Sequence, residues 1–322
     1  MILSLFLLIF APFSFAAQPA ETSAPSYGIL ILAHGAGKEW DSQVSGIRRA
    51  VNARVPAEVA FGMAAPDAMQ AAVDRLEARG VKRIAVVPLF INSHSSVMDQ
   101  TRYALRLSSA PSRVFIQAMK KLPSAILYMA GMDFDPHKRV VLRAKIVMTR
   151  ALDDDPLVAD ILIDRAKELS RRAATSFPCA ARHCLPPGSR RRPSKETVIL
   201  VGHGPVDNAE NKMWLATMRG LCRKIRAAGG YKAAWAATIR DDAPPPVKAK
   251  ADAILRDMVR RADENGGRAL VVPELVARGG VETHIVGILR GLPYAWDDKT
   301  LAPDPRLALW VLKRARRAFA RR

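Results

Sequence analysis

Two histidines follow apolar segments that are predicted to be buried strands, and an imidazole in such a place can bind a metal or accept a proton. His34 follows Ile29–Ala33 and precedes Gly35, and His94 lies in the loop after Ile84–Phe90. In an open parallel sheet, ligands bind beyond the carboxyl ends of the strands. Neutral imidazole is a good ligand for iron, cobalt, nickel or zinc. The two histidines are therefore candidate catalytic and metal-binding residues, although each alone would also fit an ordinary polar loop.

The same landmarks occur a second time, in the same order. Val198–Gly202 is another apolar segment that ends at a His-Gly pair, His203 and Gly204. Further on, Ala269–Leu275 repeats the proline-containing pattern of Ile84–Phe90, and an Asp-Pro helix start follows in each half. Matched landmarks in one order indicate a duplicated domain.

The second copy of the histidine pair is incomplete. His203 matches His34, but the position that corresponds to His94 falls near Arg278, next to two glycines. His284 comes later, inside a predicted helix. We therefore treat His203 and His284 as a candidate second site and expect the first half to hold the main one.

Each half alternates strand-like and helix-like segments, which is typical of βαβ units around a buried parallel sheet. The predicted strands are Ile29–Ala33, Glu58–Phe61, Ile84–Phe90, Val140–Met148, Val198–Gly202, Ala233–Thr238, Ala269–Leu275 and Leu292–Trp296. Helices with apolar residues at three- and four-residue spacing lie between them. The predicted fold class is α/β, with two tandem domains that each contain a mainly parallel sheet with helices on both faces.

The chain divides into four predicted parts. Residues 1–17 form a signal peptide, and residues 27–175 form a first domain with an insertion at about 108–139. Residues 176–196 form a linker that is rich in proline and positive charge. Residues 197–322 form a second domain.

The N-terminal segment decides the expected location. Met1–Ala17 is apolar, ends in small residues and precedes a polar stretch, which is typical of a secretory signal peptide, although the usual N-terminal Lys or Arg is missing. An uncleaved membrane anchor is the alternative. In either case we expect the folded part to be periplasmic or secreted.

The cysteine pattern fits an oxidising compartment. Cys179 and Cys184 lie close together in the linker and favour a small loop disulfide, which leaves Cys222 buried in a helix. A metal site of these two cysteines and His183 is the alternative, but it lacks a fourth ligand. The insertion holds His137 and three methionines, whose thioethers favour packing over metal binding: Met119, Met129 and Met132.

The net charge of the chain and the absence of several known motifs limit the classes of partner and of enzyme that we expect. The formal net charge is +20, with basic residues concentrated in the linker and at the C-terminus. Such a surface favours anionic partners, and the basic C-terminus predicts a weak contact with an anionic membrane surface. No helix-turn-helix, zinc-finger or aromatic-basic RNA motif is present, so no specific nucleic-acid partner is expected. The Gly-x-Ser-x-Gly nucleophile motif is also missing, which excludes an α/β-hydrolase.

Taken together, the motifs resemble the CbiX/SirB family of sirohydrochlorin chelatases, which are type II chelatases related to ferrochelatase. The motifs that carry the resemblance are the His-Gly pair at His34, the strand Glu58–Phe61, Pro66-Asp67 at a helix start, the segment Gly80–Phe90, and His94. The resemblance implies a chelatase fold and insertion of Co²⁺, Fe²⁺ or Ni²⁺ into a tetrapyrrole polycarboxylate, with no organic cofactor. It also implies that His34 and His94 bind the metal and accept the pyrrole protons.

Three further residues and one departure from the family complete the expectations. Lys38 and Arg102 are candidate contacts for substrate carboxylates because they lie near the two histidines in sequence, although a solvated surface role fits them equally well. Asp99 is a candidate for orienting His94, or else an ordinary helix-surface carboxylate.

Family members act in the cytoplasm, whereas this chain has a predicted signal peptide. The alternative function is therefore that of a secreted metal- or tetrapyrrole-binding protein without turnover. A third possibility is a protein that retains only the fold and has neither activity.

Overall fold

The structure is a computed structural model that describes residues 27–120, 135–175 and 192–320. It is an α/β protein with two parallel sheets, of strand order β2-β1-β3-β4 and β6-β5-β7. The strands are β1 Gly28–Ala33, β2 Ala57–Phe61, β3 Arg83–Pro88, β4 Lys145–Met148, β5 Glu196–Gly202, β6 Ala233–Thr238 and β7 Arg268–Pro273.

Helices join successive strands of each sheet, as parallel pairing requires. Local sequence explains several of their ends: Pro66 begins α2, and the Asp207 side chain accepts the N–H groups of Ala209 and Glu210 at the start of α6. The helices are α1 Lys38–Asn52, α2 Pro66–Ala78, α3 Ser96–Ala104, α4 Arg113–Met119, α5 Pro156–Thr175, α6 Asn208–Gly229, α7 Pro245–Asp263, α8 Val281–Ile288 and α9 Arg306–Ala320.

The two sheets enclose a shared helical layer. Alternate residues of β1 point to opposite faces, so Ile29 and Ile31 belong to one apolar cluster and Leu30 and Leu32 to another. Helices α2 and α3 cover the outer face of the first sheet, and α7 and α8 cover the outer face of the second. The inner faces of both sheets contribute to one continuous cluster together with α1, α5, α6 and α9. The predicted α/β class with helices on both faces of each sheet is therefore confirmed.

The two halves exchange their closing helices. Helix α5 belongs to the first half in sequence, but it packs against α6 and β7 of the second half. Helix α9 closes the second half in sequence, and it packs against α1, β3 and β4 of the first. The limits of the two domains remain a prediction, because the inner core is common to both halves.

Ion pairs and ring contacts fasten the exchanged helices. The Arg306 guanidinium at the start of α9 contacts Asp164 of α5 at 2.7 Å. At the other end of α9, the Phe319 ring lies 5.1 Å from the Tyr27 ring, and the Arg83 guanidinium lies 4.2 Å from the centre of the same ring. Both ends of α9 are therefore tied to residues of the first half.

Two predicted strands keep less than half of their length in the structure, and two others, Ile84–Phe90 and Ala269–Leu275, end two residues earlier, at Pro88 and Pro273. Residues 140–144 precede β4 without pairing as a strand, because side chains of α2 satisfy their backbone: Val141 N–H donates to Gln70 and Ala144 N–H donates to Glu77. The predicted strand Leu292–Trp296 is only a single parallel bridge between Ala295 and Leu270. It contains Pro293, which has no N–H to donate to a ladder.

Several predictions lie outside the described residues, namely the signal peptide, Met129, Met132 and the Cys179–Cys184 disulfide with His183. Met119 is buried beside Phe115, as expected for packing. Cys222 is free and buried as predicted, and its burial raises the pKa of the thiol to about 12. Within the described ranges, no helix combines the length and the apolar character needed to cross a membrane.

Candidate functional site

His34 stands directly beyond the carboxyl end of β1, with its side chain exposed. The chain turns at Gly35, which has a φ of 77° and lies so close to Phe61 that an added Cβ would be 3.3 Å from Phe61 Cβ. Imidazole Nδ1 lies 2.7 Å from the carbonyl oxygen of Gly35. A carbonyl can only accept, so in the neutral imidazole Nδ1 carries the proton and Nε2 presents its lone pair to a ligand.

His94 stands in the loop between β3 and α3, and its side chain is also exposed. The buried Asn92 accepts the His94 N–H through Oδ1 at 2.9 Å. The next polar contacts come from Asp153, whose carboxylate accepts the Ser93 N–H at 2.7 Å and the Ser93 hydroxyl at 2.8 Å. Ser95 then caps α3 by accepting the N–H of Met98. Hydrogen bonds therefore hold the backbone of this loop, while the imidazole is exposed to solvent.

The two histidine loops leave neighbouring strands at the same edge of the first sheet. Strands β1 and β3 are adjacent and parallel, with Leu32 paired to Pro88, and Leu89 N–H donates to the Leu32 carbonyl at 2.7 Å. Carboxyl ends of parallel strands form the ligand-binding edge of such a sheet. The structure therefore places His34 and His94 beyond adjacent strand ends.

The other first-half candidates lie on the helices that follow. Lys38 is the exposed first residue of α1. Arg102 lies in the last turn of α3 and pairs with Asp99, at 3.3 Å between Nη1 and Oδ1. Asp99 is therefore engaged by an arginine of its own helix, and the structure gives no contact between it and His94.

The second-half histidines have acidic partners. His203 follows β5, and its Nε2 lies 3.4 Å from Asp242 Oδ2. His284 lies on α8, and its Nδ1 bonds to Asp241 Oδ2. The adjacent aspartates thus bring both histidines to the loop after β6, and Lys248 also pairs with Asp241.

Charge at this second loop is largely neutralised. Burial raises the pKa of Asp241, but hydrogen bonds from Lys248 and His284 outweigh it, so the pKa lies below its ordinary value. Arg240 is buried next to this pair and donates to the Pro205 carbonyl at 3.0 Å and to Asn208 Oδ1 at 2.8 Å. A carboxylate already paired with an ammonium attracts a metal cation less strongly.

Residues of the second half reach both histidine loops of the first. Trp214 Nε1 donates to the His94 carbonyl at 2.7 Å, and the Ser96 N–H donates to Glu210 Oε1 at 2.7 Å. On the other side, a Cβ added to Gly279 would lie 2.9 Å from Trp40 Cδ1 and 3.2 Å from the Cβ of Ala36, two residues beyond His34. The candidate site of the first half is therefore bordered by both halves.

Two acidic groups at these edges have raised pKa values. Burial raises the pKa of the Glu210 carboxyl, and the Ser96 N–H counteracts only part of this effect. Glu274 follows β7, is 1% exposed, and burial raises its pKa to about 8. Among the residues that the structure describes, its Oε2 has no hydrogen-bond partner, so the protonated form is favoured at neutral pH.

The sequence did not single out the partners of the histidines. The residues that it missed are Trp214, Glu210, Asp241, Asp242 and Lys248. Only the aspartates carried a usable signal, since they follow a predicted strand. Among the described residues, no group of three or more His, Cys, Asp or Glu side chains is arranged to hold a metal ion.

Most of the first half of the chain matches a known protein family model. Residues 28–169 match the family model CbiX, which ends within α5. No curated protein matches the chain.

Solved structures are similar over most of the chain. SirB from Bacillus subtilis with Fe³⁺ has a TM-score of 0.50 and 15% identity, covering 91% of this chain and 96% of that chain. The sirohydrochlorin chelatase SirB from Bacillus subtilis subspecies spizizenii in complex with cobalt has a TM-score of 0.51 and 15% identity, covering 91% of this chain and 95% of that chain. At this identity the likeness shows a shared fold.

Proposed function

We propose that this protein inserts a divalent metal ion into sirohydrochlorin or a related tetrapyrrole, because residues 28–169 match the CbiX family model. The family and the fold support a metal chelatase of the sirohydrochlorin type. The finer proposal is that the metal is Co²⁺, Fe²⁺ or Ni²⁺ and that His34 and His94 bind it. All three metals suit imidazole ligands.

The observation that carries the proposal is the hydrogen bond from His34 Nδ1 to the Gly35 carbonyl. Metal-binding histidines commonly donate one ring N–H to such an acceptor, which fixes the tautomer and orients the other nitrogen. His34 has this arrangement, which leaves Nε2 available at an exposed strand end. His94 supplies a second exposed imidazole beyond the neighbouring strand.

Two imidazoles leave most of the metal's coordination positions open, so the ion is held and still transferable. In the proposed reaction, the metal leaves the imidazoles for the four ring nitrogens of the tetrapyrrole. Two pyrrole N–H bonds break, and the two protons pass to the released imidazoles and then to water. The metal keeps its oxidation state, so no electron donor is required.

The anionic substrate fits the charge of the protein. Sirohydrochlorin is a polycarboxylate, and the net charge of +20 attracts it. Lys38 is proposed as a carboxylate contact because it is exposed at the start of α1, next to the His34 loop. Arg102 is the weaker of the two contacts, since Asp99 already neutralises it.

We also propose that the protein acts outside the cytoplasm, because residues 1–17 have the character of a signal peptide. Expression of the full chain, followed by fractionation and intact mass measurement, tests this. A periplasmic protein shortened near Ala17 is expected. A full-length protein in the cytoplasmic fraction would refute the secreted location and leave the chelatase proposal in place.

The test of the function is anaerobic absorbance spectroscopy of sirohydrochlorin with Co²⁺ or Fe²⁺. The wild-type protein should convert the spectrum faster than the spontaneous reaction. The double variant His34→Ala/His94→Ala should lose at least about 100-fold in rate, the usual contribution of positioned proton-accepting groups. The matched control is the double variant His203→Ala/His284→Ala, which should keep most of the activity.

Two outcomes would overturn the proposal. If the control variant loses activity and the first variant keeps it, the site lies in the second half. If the wild-type protein shifts the spectrum of the metal or of the macrocycle without accelerating insertion, it is a metal- or tetrapyrrole-binding protein without turnover.

A further inference from the structure

The loop that carries His94 is held from two sides, and one side belongs to the second half of the chain. Within the first half, Asn92 Oδ1 accepts the His94 N–H at 2.9 Å. From the second half, Trp214 Nε1 donates to the His94 carbonyl at 2.7 Å. Both backbone polar groups of His94 are therefore fixed, and only its side-chain torsions remain free.

A second bond from the same helix lies two residues further on. Ser96 is the first residue of α3, where helical N–H groups lack partners within the helix, and its N–H donates to Glu210 Oε1 at 2.7 Å. Glu210 and Trp214 are four residues apart on α6, so they project from one face of that helix. This face of α6 is therefore hydrogen-bonded to the His94 loop at two positions, His94 and Ser96.

We infer that Trp214 and Glu210 are positioning residues, which fix the placement of His94 relative to His34. The second half then completes the first-half site in addition to its own packing role. The inference rests on the proposed function, because it concerns the same histidine pair. Its physical basis is that a two-ligand site binds metal well only when both ligands are held in place, since a displacement of about 1 Å can lower a rate roughly 100-fold.

An independent contact on the His34 side agrees with this role. Counted from the prolines that end β3 and β7, Gly279 stands where His94 stands in the first half. An added Cβ there would be 2.9 Å from Trp40 Cδ1 on α1 and 3.2 Å from the Cβ of Ala36 in the His34 loop, so a histidine at this position would displace both side chains. The missing side chain lets the second half pack against the first-half site.

The experiment is a double-mutant cycle on Co²⁺ binding by the full chain, measured by absorbance titration without tetrapyrrole. Trp214→Phe keeps an aromatic ring at this position, although a smaller one, and removes the indole N–H donor. It should weaken Co²⁺ binding about 10-fold in the wild-type background and have no further effect in the His94→Ala background. The matched control is Trp235→Phe, a half-buried tryptophan of β6 that stacks with Arg261, and its Co²⁺ affinity should equal that of the wild type.

Glu210 provides a second test with a rescue. Glu210→Ala removes the acceptor for the Ser96 N–H and should weaken Co²⁺ binding and lower kcat. Glu210→Gln keeps an acceptor oxygen at the same place and should restore most of both quantities. A contribution from the carboxylate charge alone would leave Glu210→Gln as impaired as Glu210→Ala, which would contradict a positioning role.

The outcomes separate this inference from the proposed function. Equal weakening by Trp214→Phe in both backgrounds would mean a general structural effect and would overturn the inference. If Co²⁺ binding and insertion depend on His94 but not on Trp214, the inference fails and the chelatase proposal stands. If wild-type protein neither binds Co²⁺ nor accelerates insertion, the proposed function itself fails.

Discussion

The two halves of the molecule end their first strands with the same His-Gly pair but surround it with different chemistry. After β2, the first half has the apolar residues Met63 and Ala64. By strand register, the second half has Arg240 and Asp241 at these positions after β6. Among the described residues, His34 forms no ion pair, whereas His203 lies beside Asp242. The two strand ends are thus alike, whereas the electrostatic environment of the imidazole differs between them.

A second pair of equivalent positions shows the same divergence in the core. Leu89 and Glu274 each follow the proline that ends a strand, and each donates its N–H to the neighbouring first strand, to Leu32 and Val201 respectively. Both side chains are about 1% exposed. One half therefore buries a leucine where the other buries an unpaired carboxyl group.

The largest effect in this comparison of the two halves is expected at Glu274, on the free energy of unfolding. The Glu274 pKa is raised to about 8, so its contribution to stability is fully present below the unfolded pKa of about 4.3 and is lost as the pH rises through 8. Glu274→Leu should therefore stabilise the protein by about 2 kcal/mol at pH 8 and by much less at pH 5. Urea unfolding at the two pH values measures this. Leu89→Met, the control, should change stability equally at both.

The next effect concerns the metal affinity of the second half. Lys248 neutralises Asp241, which bonds to His284. In a His34→Ala/His94→Ala background, Lys248→Ala should strengthen Co²⁺ binding about 10-fold, because one positive charge near the site disappears. Equilibrium dialysis would show it. Unchanged affinity would mean that Lys248 is not what distinguishes the two histidine pairs.

A smaller effect is expected on stability near the same histidines. The pKa of Asp241 is lowered in the folded state, so its contribution is present above the unfolded pKa of about 3.9 and is lost as the pH falls through the folded pKa. Asp241→Asn should destabilise the protein by about 1 kcal/mol at pH 6. The difference should shrink as the pH is lowered below the ordinary Asp pKa of about 3.9. Asp242→Asn, at a mostly exposed carboxylate, should change the free energy of unfolding by less than about 0.5 kcal/mol.

The smallest effect tests the close approach between the halves. Gly279→Ala would place a Cβ 2.9 Å from Trp40 Cδ1 and 3.2 Å from the Cβ of Ala36, so Trp40 and the loop after His34 must shift. We expect about threefold lower kcat/KM for metal insertion with little change in Tm. Gly287→Ala, where the added Cβ meets no atom within 4 Å, is the control. Equal kcat/KM for both variants would show that this contact does not affect the His34 loop.

Sequence patterns predict much of this fold because apolar strands and amphipathic helices carry their own periodicity. The strand ends at His34 and His203 were predictable for the same reason. The exchange of α5 and α9 was not, since an apolar helix face does not specify which sheet it will cover. Likewise, the hydrogen bond between Trp214 and His94 joins residues far apart in the chain, so no local sequence pattern predicts it. Asp241 was visible after a predicted strand, but its pairing with His284 depends on the tertiary placement of α8.

The exchanged helices also matter for how the protein is synthesised. Helix α9 covers α1 and β3, and it is made after every other described element. Synthesis and the proposed export both proceed from the N-terminus, so the apolar face of the first half stays uncovered until α9 follows. Nascent chains with such exposed faces are prone to aggregate and are typical clients of chaperones. The first half therefore cannot reach its final packing as an independent cotranslational folding unit.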